Sequence, residues 1–256
     1  MRAFLLVLVL VSCLGSCDKS AKNQPQPEEQ GPIVEQGPID FCGETFSVTA
    51  TEVKCHDKTV SDVNALKALT NLKVLDLNAT KVSSVSALSA LTSLETLSLA
   101  LAPVSDASAL KALTNLKVLH LDNTQVSDVS ALSSLTNLET LSFANTKVSD
   151  VSALKSLTKL EFLHLTKTQV SDVSALSSLT NLKELSFSST QVSSVSDLKS
   201  LINLEKLSLN NTQVSDVSAL SSLANLKNLN IIGTKVSAEQ VEALKKALPK
   251  LEIYGP

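Results

Sequence analysis

Residues 126–147 have the sequence VSDVSALSSLTNLETLSFANTK, and strings of the form VSD, VSS or VSA recur every 22 residues on both sides of this stretch. The nine strings begin at Val60, Val82, Val104, Val126, Val148, Val170, Val192, Val214 and Val236. Since no insertion interrupts them, residues 60–235 form eight repeats of one structural unit. A unit this short cannot bury its own apolar side chains, so the units must stack into a solenoid.

The repeating unit contains one strand and one short helical return. Apolar and polar residues alternate around Leu141, which is the period of a β-strand. Val129, Leu132 and Leu135 recur three residues apart, which is the period of a 3₁₀ helix. Asp128 lies just before this return, where its carboxylate can accept free backbone N–H groups as an N-cap. The unit therefore predicts an α/β repeat solenoid with a curved parallel β-sheet on its concave face and short 3₁₀ or α-helical turns on its convex face.

The sequence predicts a cap at each end of the array. Val53 lies 22 residues before Leu75, so an edge strand in register with the first repeat is expected within an N-terminal cap at residues 41–59. At the other end, the sequence SAEQ from Ser237 has the pattern of a capping box. Residues 236–256 are therefore expected to form a helix and a last strand. Such caps cover apolar layers that would otherwise face water.

The pattern LxxLxLxxTxVSDVSALxxL resembles the 22-residue leucine-rich repeats of bacterial internalin-like surface proteins, over residues of about 53–254. The resemblance implies a leucine-rich-repeat domain that binds a protein or a cell-surface glycan. Where that family usually places a buried Asn, this chain has Ala102 in one repeat and Thr in the others. These threonines are Thr80, Thr124, Thr146, Thr168, Thr190, Thr212 and Thr234. We expect a threonine ladder on the turn side of the sheet, with a gap at Ala102.

The N-terminal 40 residues carry signals for export and anchoring. Residues 1–16 have the form of a lipoprotein signal peptide, whose apolar stretch is too short to cross a bilayer as a helix. The sequence LGSC, which ends at Cys17, resembles a bacterial lipobox and predicts lipidation of Cys17. LVSC, which ends at Cys13, also matches, but cleavage there would leave a very short apolar region; an ordinary cleaved signal peptide is a further alternative. Residues 17–40 are rich in Pro, Gln, Glu and Gly, which is typical of a disordered tether.

These signals predict a bacterial envelope protein that is anchored to the inner or the outer membrane by lipid, with its domain outside the cytoplasm. In that location disulfides persist, and Cys42 and Cys55 remain after processing. Twelve residues separate them, and closing this loop would stabilise the fold by about 3 kcal/mol. Two free buried thiols are the alternative. A metal site is disfavoured because His56 is the only other good ligand nearby.

Composition and motifs argue against nucleic-acid binding and against catalysis. The net charge is −3, which gives no basic surface for phosphates. The sequence has no P-loop, no GxGxxG after a strand, no HExxH and no nucleophile elbow. We therefore expect no enzymatic activity, no cofactor and no metal. The protein is expected to be monomeric, and a structural spacer of the envelope without a dedicated ligand is the alternative function.

The centre of the predicted concave face is the candidate surface for partner binding, because it holds the outward apolar or aromatic side chains of the array. Its residues are Val118, His120, Asp122, Phe162 and His164. The two histidines are expected about 10 Å apart with Ser142 between them, which is too far for shared metal coordination. Duplicated surface histidines are therefore favoured over a metal or catalytic site with Asp122.

A longer period lies within the 22-residue one. The convex residue after the first helical leucine alternates between Lys and Ser: Lys67, Ser89, Lys111, Ser133, Lys155, Ser177, Lys199 and Ser221. Strand residues follow in part, as Val74, Thr96, Val118 and Thr140. This alternation indicates growth by duplication of a two-repeat unit, so a surface pattern can reflect inheritance instead of selection for a partner.

Overall fold

The computed structural model describes residues 37–255. The predicted signal peptide, Cys13, Cys17 and the tether up to residue 36 lie outside the described residues.

Ten three-residue strands form one parallel sheet whose spatial order follows the chain. A separate antiparallel hairpin of β1 (Ile39–Phe41) and β2 (Glu44–Phe46) precedes it. The strands of the sheet are β3 (Glu52–Lys54), β4 (Val74–Asp76), β5 (Thr96–Ser98), β6 (Val118–His120), β7 (Thr140–Ser142), β8 (Phe162–His164), β9 (Glu184–Ser186), β10 (Lys206–Ser208), β11 (Asn228–Asn230) and β12 (Glu252–Tyr254). Neighbouring strands pair with no slip in register, so the predicted parallel sheet is confirmed.

Each repeat returns through a single 3₁₀ helix, which is the tighter of the two predicted alternatives. These helices are Asn64–Ala68, Ser86–Ala90, Ser108–Ala112, Ser130–Ser134, Ser152–Ser156, Ser174–Ser178, Ser196–Ser200 and Ser218–Ser222. The one α-helix of the described chain, α1 (Ala238–Ala247), follows the last repeat. Within residues 37–255 no helix has both the length and the apolar character needed to cross a membrane.

A continuous apolar core lies between the sheet and the 3₁₀ helices. The middle residue of each repeat strand is buried, as with Leu141, and so are the leucines of the helical return, as with Leu132 and Leu135. Phe143 and Phe187 occupy inward leucine positions and are fully buried. Burial of one such side chain contributes about 1.5–3 kcal/mol, so stability accumulates repeat by repeat along the solenoid.

The N-terminal end of the array is covered by the hairpin and the edge strand β3. Val53 pairs with Leu75 on the edge strand β3, and a disulfide joins Cys42 to Cys55. The hairpin begins at Ile39, two residues before the expected start of the cap, because Ile39 and Phe41 pack against the core.

Helix α1 and strand β12 cover the C-terminal end of the array. Ser237 is the N-cap of α1, and its hydroxyl accepts a hydrogen bond from the backbone N–H of Gln240 at 3.4 Å. Helix α1 buries Val241 and Leu244. The last strand, β12, pairs with β11 and places Ile253 opposite Leu229, a spacing of 24 residues, so the 22-residue register that would place Leu251 there is wrong by two residues.

The aspartates before the 3₁₀ helices act one position earlier than an N-cap. Asp128 Oδ1 accepts the backbone N–H of Ser130 at 2.8 Å, whereas the cap residue itself is Val129. The same bond recurs at Asp62, Asp106, Asp150, Asp172 and Asp216. The expected role, acceptance of a free N–H at the start of the return, is therefore present in Asx-turn form.

The buried threonines form a column without bonds between repeats. Thr124 Oγ1 donates to the Leu121 carbonyl of its own repeat at 2.7 Å, and Thr146 bonds Phe143 in the same way. Each hydroxyl thus closes the turn after its own strand, and the expected ladder is a set of separate bonds. Ala102 is buried at the same position and supplies no hydroxyl.

Two ladders of side chains on the convex side join successive repeats. Ser156 Oγ donates to the Ser133 carbonyl at 2.7 Å, and Asn137 Nδ2 donates to the Thr114 carbonyl at 2.9 Å. Equivalent bonds occur along much of the array. Together with the sheet, these bonds hold the repeats at a fixed spacing.

Candidate functional site: the concave face of the sheet

The outward side chains of the sheet form columns that run along the solenoid. The register places Val118, Thr140 and Phe162 side by side in the first column. His120 and His164 lie in the second column with Ser142 between them. Two interstrand spacings of about 4.8 Å separate the histidine strands by about 10 Å, as expected.

Phe162 is the exposed aromatic residue of the repeat array. The residue is 36% exposed, whereas Phe143 and Phe187 are fully buried. Val118, two strands away, is half-buried. An exposed ring on a rigid sheet can bury apolar area in a partner at little cost in conformational entropy.

Asp122 is engaged in holding two repeats together. Its Oδ1 accepts the backbone N–H of Ala144 at 2.8 Å and the hydroxyl of Ser142. Its Oδ2 lies 3.8 Å from His120 Nδ1. Asn78 makes the equivalent bond to the Ala100 N–H at 2.8 Å. Asp122 is therefore a predicted binding residue that also has a structural role.

A charged triad spans three strands beside Phe162. His164 Nε2 lies 3.8 Å from Glu184 Oε1, and Lys206 Nζ lies 3.3 Å from Glu184 Oε2. Glu184 is the direct neighbour of Phe162 in the register. The structure therefore brings His164 and Phe162 together with two residues, Glu184 and Lys206, that were not predicted as part of the site.

A shallow hollow of about 190 Å³ lies in the concave face between β9 and β12. Side chains of Glu184, Lys206, Ser208, Asn228, Asn230 and Tyr254 line it. Sequence reasoning missed this hollow because it considered only aromatic residues within the repeats. The 22-residue period would place Tyr254 opposite Ile232, whereas β12 pairs with β11 at a spacing of 24 residues and so places Tyr254 next to Asn230 in the second column.

Tyr254 forms the end wall of this hollow and is half exposed. Its Oη donates to Glu252 Oε2 at 2.9 Å, and this hydrogen bond raises the pKa of the phenol. Asn228 Nδ2 donates to the same carboxylate oxygen at 3.1 Å. The Glu252 carboxylate thus fixes both a ring and an amide at the edge of the hollow.

A row of ion pairs borders the concave face just before the strands. Lys117 Nζ lies 2.7 Å from Glu95 Oε2, and Lys73 pairs with the other oxygen at 3.2 Å. The hydrogen bond from Lys117 lowers the pKa of the Glu95 carboxyl. These pairs are solvated and contribute little to stability, but they leave this border without a strong excess of either charge.

Within residues 37–255, no group of three or more His, Cys, Asp or Glu side chains is placed to hold a metal ion.

Comparison with known proteins identifies relatives of the repeat array. The family model described as a leucine-rich repeat region matches residues 48–253. A solved internalin from Listeria monocytogenes is 31% identical with a TM-score of 0.74, covering 78% of this chain and 58% of its own. Internalin C2 from the same organism is 29% identical with a TM-score of 0.70, covering 74% of this chain and 85% of its own.

A leucine-rich-repeat protein from Leptospira interrogans shares the fold at 24% identity and a TM-score of 0.63, over 78% of this chain and 58% of that one. This chain therefore spans less than two thirds of the length of two of these three proteins. No curated protein sequence matches the chain.

Proposed function

Because the chain belongs to the leucine-rich repeat family, we propose that it is an exported, lipid-anchored binding protein that captures a protein or glycan partner on its concave face. Phe162 is the observation that carries this proposal. The array places its other phenylalanines in the core and exposes this one at the centre of the concave sheet.

The family and the solved relatives support a scaffold for protein interaction. The rigid sheet supports it physically, since a pre-ordered surface loses little entropy on binding. The aromatic anchor favours a dedicated ligand over a simple spacer.

Anchoring in the bacterial envelope is the second part of the proposal. The lipobox at Cys17 and the apolar residues before it support lipidation. The Cys42–Cys55 disulfide supports a location outside the cytoplasm, where such bonds persist. The residues between Cys17 and the hairpin that begins at Ile39 would then serve as the tether that carries the solenoid away from the membrane.

A pull-down with the chain lacking residues 1–17 tests the binding function. We expect saturable capture of a partner from the bacterium's surroundings or envelope, reduced by Phe162→Ala and unchanged by Ser177→Ala on the convex side. Absence of saturable capture would favour the spacer alternative.

A further inference from the structure

The repeats carry an alternating pattern that indicates duplication of a two-repeat unit. The persistence of this pattern on the convex side can be compared with its persistence on the concave side. On the convex side, the alternation of Lys and Ser runs through all eight repeats, from Lys67 to Ser221. On the concave side, the first column alternates only through the first four repeats, as Val74, Thr96, Val118 and Thr140. The last four repeats replace this pattern with Phe162, Glu184, Lys206 and Asn228.

The third concave column changes at the same point in the chain. Its first four residues are Asn78, Ala100, Asp122 and Ala144. A hydrogen-bond acceptor, Asn or Asp, thus alternates with Ala. The next four are Thr166, Ser188, Asn210 and Ile232, without that alternation. The second column keeps its alternation longer, with Ser98, Ser142 and Ser186 in every other repeat, so the pattern is lost early in two of the three concave columns. Inheritance accounts for the convex pattern in these repeats, but it does not account for those two columns. Selection for a ligand on the C-terminal half of the concave face would produce this divergence.

The geometry agrees with this location. The hollow between β9 and β12 lies within the diverged repeats and the last strand. Phe162 lies one strand before the hollow, and Tyr254 closes its far end. Four interstrand spacings separate the strands that carry the two rings, a span of about 19 Å.

The hollow is polar, and its charged groups are the carboxylates of Glu184 and Glu252 and the ammonium of Lys206. Glu184 is compensated by His164 and Lys206, and Glu252 is occupied by the amide of Asn228 and the hydroxyl of Tyr254.

Several polar groups remain for a ligand. Asn230 uses its Oδ1 for the backbone N–H of Ile232, which leaves its two Nδ2 donors for a ligand. The hydroxyl of Ser208 and the Oδ1 of Asn228 have no side-chain partner among the described residues. An anionic ligand would meet the carboxylates of Glu184 and Glu252, whereas an uncharged chain rich in hydroxyl groups would use these free groups.

We propose that the C-terminal half of the concave face binds a neutral oligosaccharide, which lies across strands β8–β12 between the rings of Phe162 and Tyr254. The amides and hydroxyls of the hollow supply hydrogen bonds in both directions, and the rings supply apolar faces with little conformational freedom to lose. This inference rests on the proposed binding function and specifies both its position on the sheet and the chemistry of its partner.

The test uses the full chain, purified in detergent, on an array of immobilised neutral oligosaccharides built from hexoses and N-acetylhexosamines. Oligogalacturonate serves as the charged comparison. We expect saturable binding to at least one neutral oligosaccharide and none to oligogalacturonate. Tyr254→Ala should weaken binding about tenfold or more, and Thr96→Ala, on the undiverged half of the same face, should leave it unchanged.

Tyr254→Ala could weaken binding merely by disrupting the C-terminal cap, so a second variant is needed. Asn230→Asp keeps the oxygen that accepts the Ile232 N–H and removes the two free Nδ2 donors. This variant should retain the thermal unfolding temperature and still weaken binding. Absence of binding to every neutral oligosaccharide, or equal binding by wild type and Asn230→Asp, overturns the carbohydrate proposal. If no neutral oligosaccharide binds but the pull-down captures a protein in a manner that depends on Phe162, the proposed binding function stands without the carbohydrate proposal. If the pull-down captures nothing, the proposed binding function fails as well.

Discussion

Pro103 leaves the Val82 carbonyl without the backbone hydrogen bond that the equivalent valines of the other repeats accept, because proline has no N–H to donate. In the next repeat, for example, Gln125 N–H donates to the Val104 carbonyl at 2.8 Å. The same turn has Ala102 in place of the buried Thr. It also places Leu101, 60% exposed, at a φ of 64°, a conformation that Gly and Asn adopt more readily.

Ala102→Thr should stabilise the protein by about 0.5–1.5 kcal/mol, since it supplies the hydroxyl bond to the Leu99 carbonyl that the other repeats have. The matched reverse change, Thr124→Ala, should destabilise by a similar amount. Urea denaturation of both variants checks the pair. Amide hydrogen exchange should be faster around residues 82–103 in the wild type than around the equivalent turns, and Ala102→Thr should slow it. No change in stability or exchange would show that this turn is not a weak point.

The disulfide should matter most for the first repeats. Replacing Cys42 and Cys55 with Ser should lower the free energy of unfolding by about 3 kcal/mol, because the unfolded chain regains the entropy of the closed loop. Exchange should rise first in β3 and β4, since stability in a solenoid passes between neighbouring repeats.

Non-reducing peptide mapping of the wild type should find Cys42 and Cys55 linked. Both thiols reacting with a maleimide, in the native protein and after unfolding, would contradict the pairing.

The sequence predicts the backbone of this protein better than its side-chain bonds. A strict period fixes the register, so the positions of Val53, Leu141 and Phe162 follow from counting alone. The partner of a hydroxyl depends on a local rotamer instead. For this reason Thr124 bonds its own repeat and not the next, and the ladders of Ser156 and Asn137 were not anticipated.

The same difference between register and side-chain conformation explains why only part of the candidate site follows from the sequence. The outward position of Phe162 is a matter of register. The hollow beside Tyr254 depends on which neighbouring side chains are short enough to leave space, such as Ser208, and no period in the sequence specifies that.

Stability should fall in acid through the aspartates that precede the 3₁₀ helices. The backbone N–H of Ser130 holds the pKa of the Asp128 carboxyl below its ordinary value of 3.8, and Ser152 does the same for Asp150. A depressed folded-state pKa contributes stability that is present above about pH 4 and is lost as pH falls through the folded pKa. The melting temperature should therefore decline as the pH falls below about 4.

Replacing Asp128 and Asp150 with Ser, the residue that the chain itself has at Ser84 and Ser194, tests this assignment. The double variant should show a smaller decline in melting temperature over the same pH range. An unchanged acid profile would assign the decline to other carboxylates.

Lipidation at Cys17 predicts a defined mature N-terminus. Intact-mass analysis of the membrane fraction should show an acylated chain that begins at Cys17, and Cys17→Ser should abolish the added mass. A chain that begins at Cys13 would support the alternative lipobox, and an unmodified soluble chain would indicate an ordinary signal peptide.

Phe162→Ala should weaken binding of a captured partner by about 1–2 kcal/mol or more, because truncating an exposed ring at the centre of an interface removes its buried apolar area. The change should leave folding almost unaffected, since the residue is 36% exposed and lies outside the core. Titration of the partner by calorimetry and thermal unfolding of the free variant measure the two effects separately. Ser177→Ala on the convex side is the matched control. Equal losses in both variants, or no loss in either, would exclude the concave centre as the binding surface.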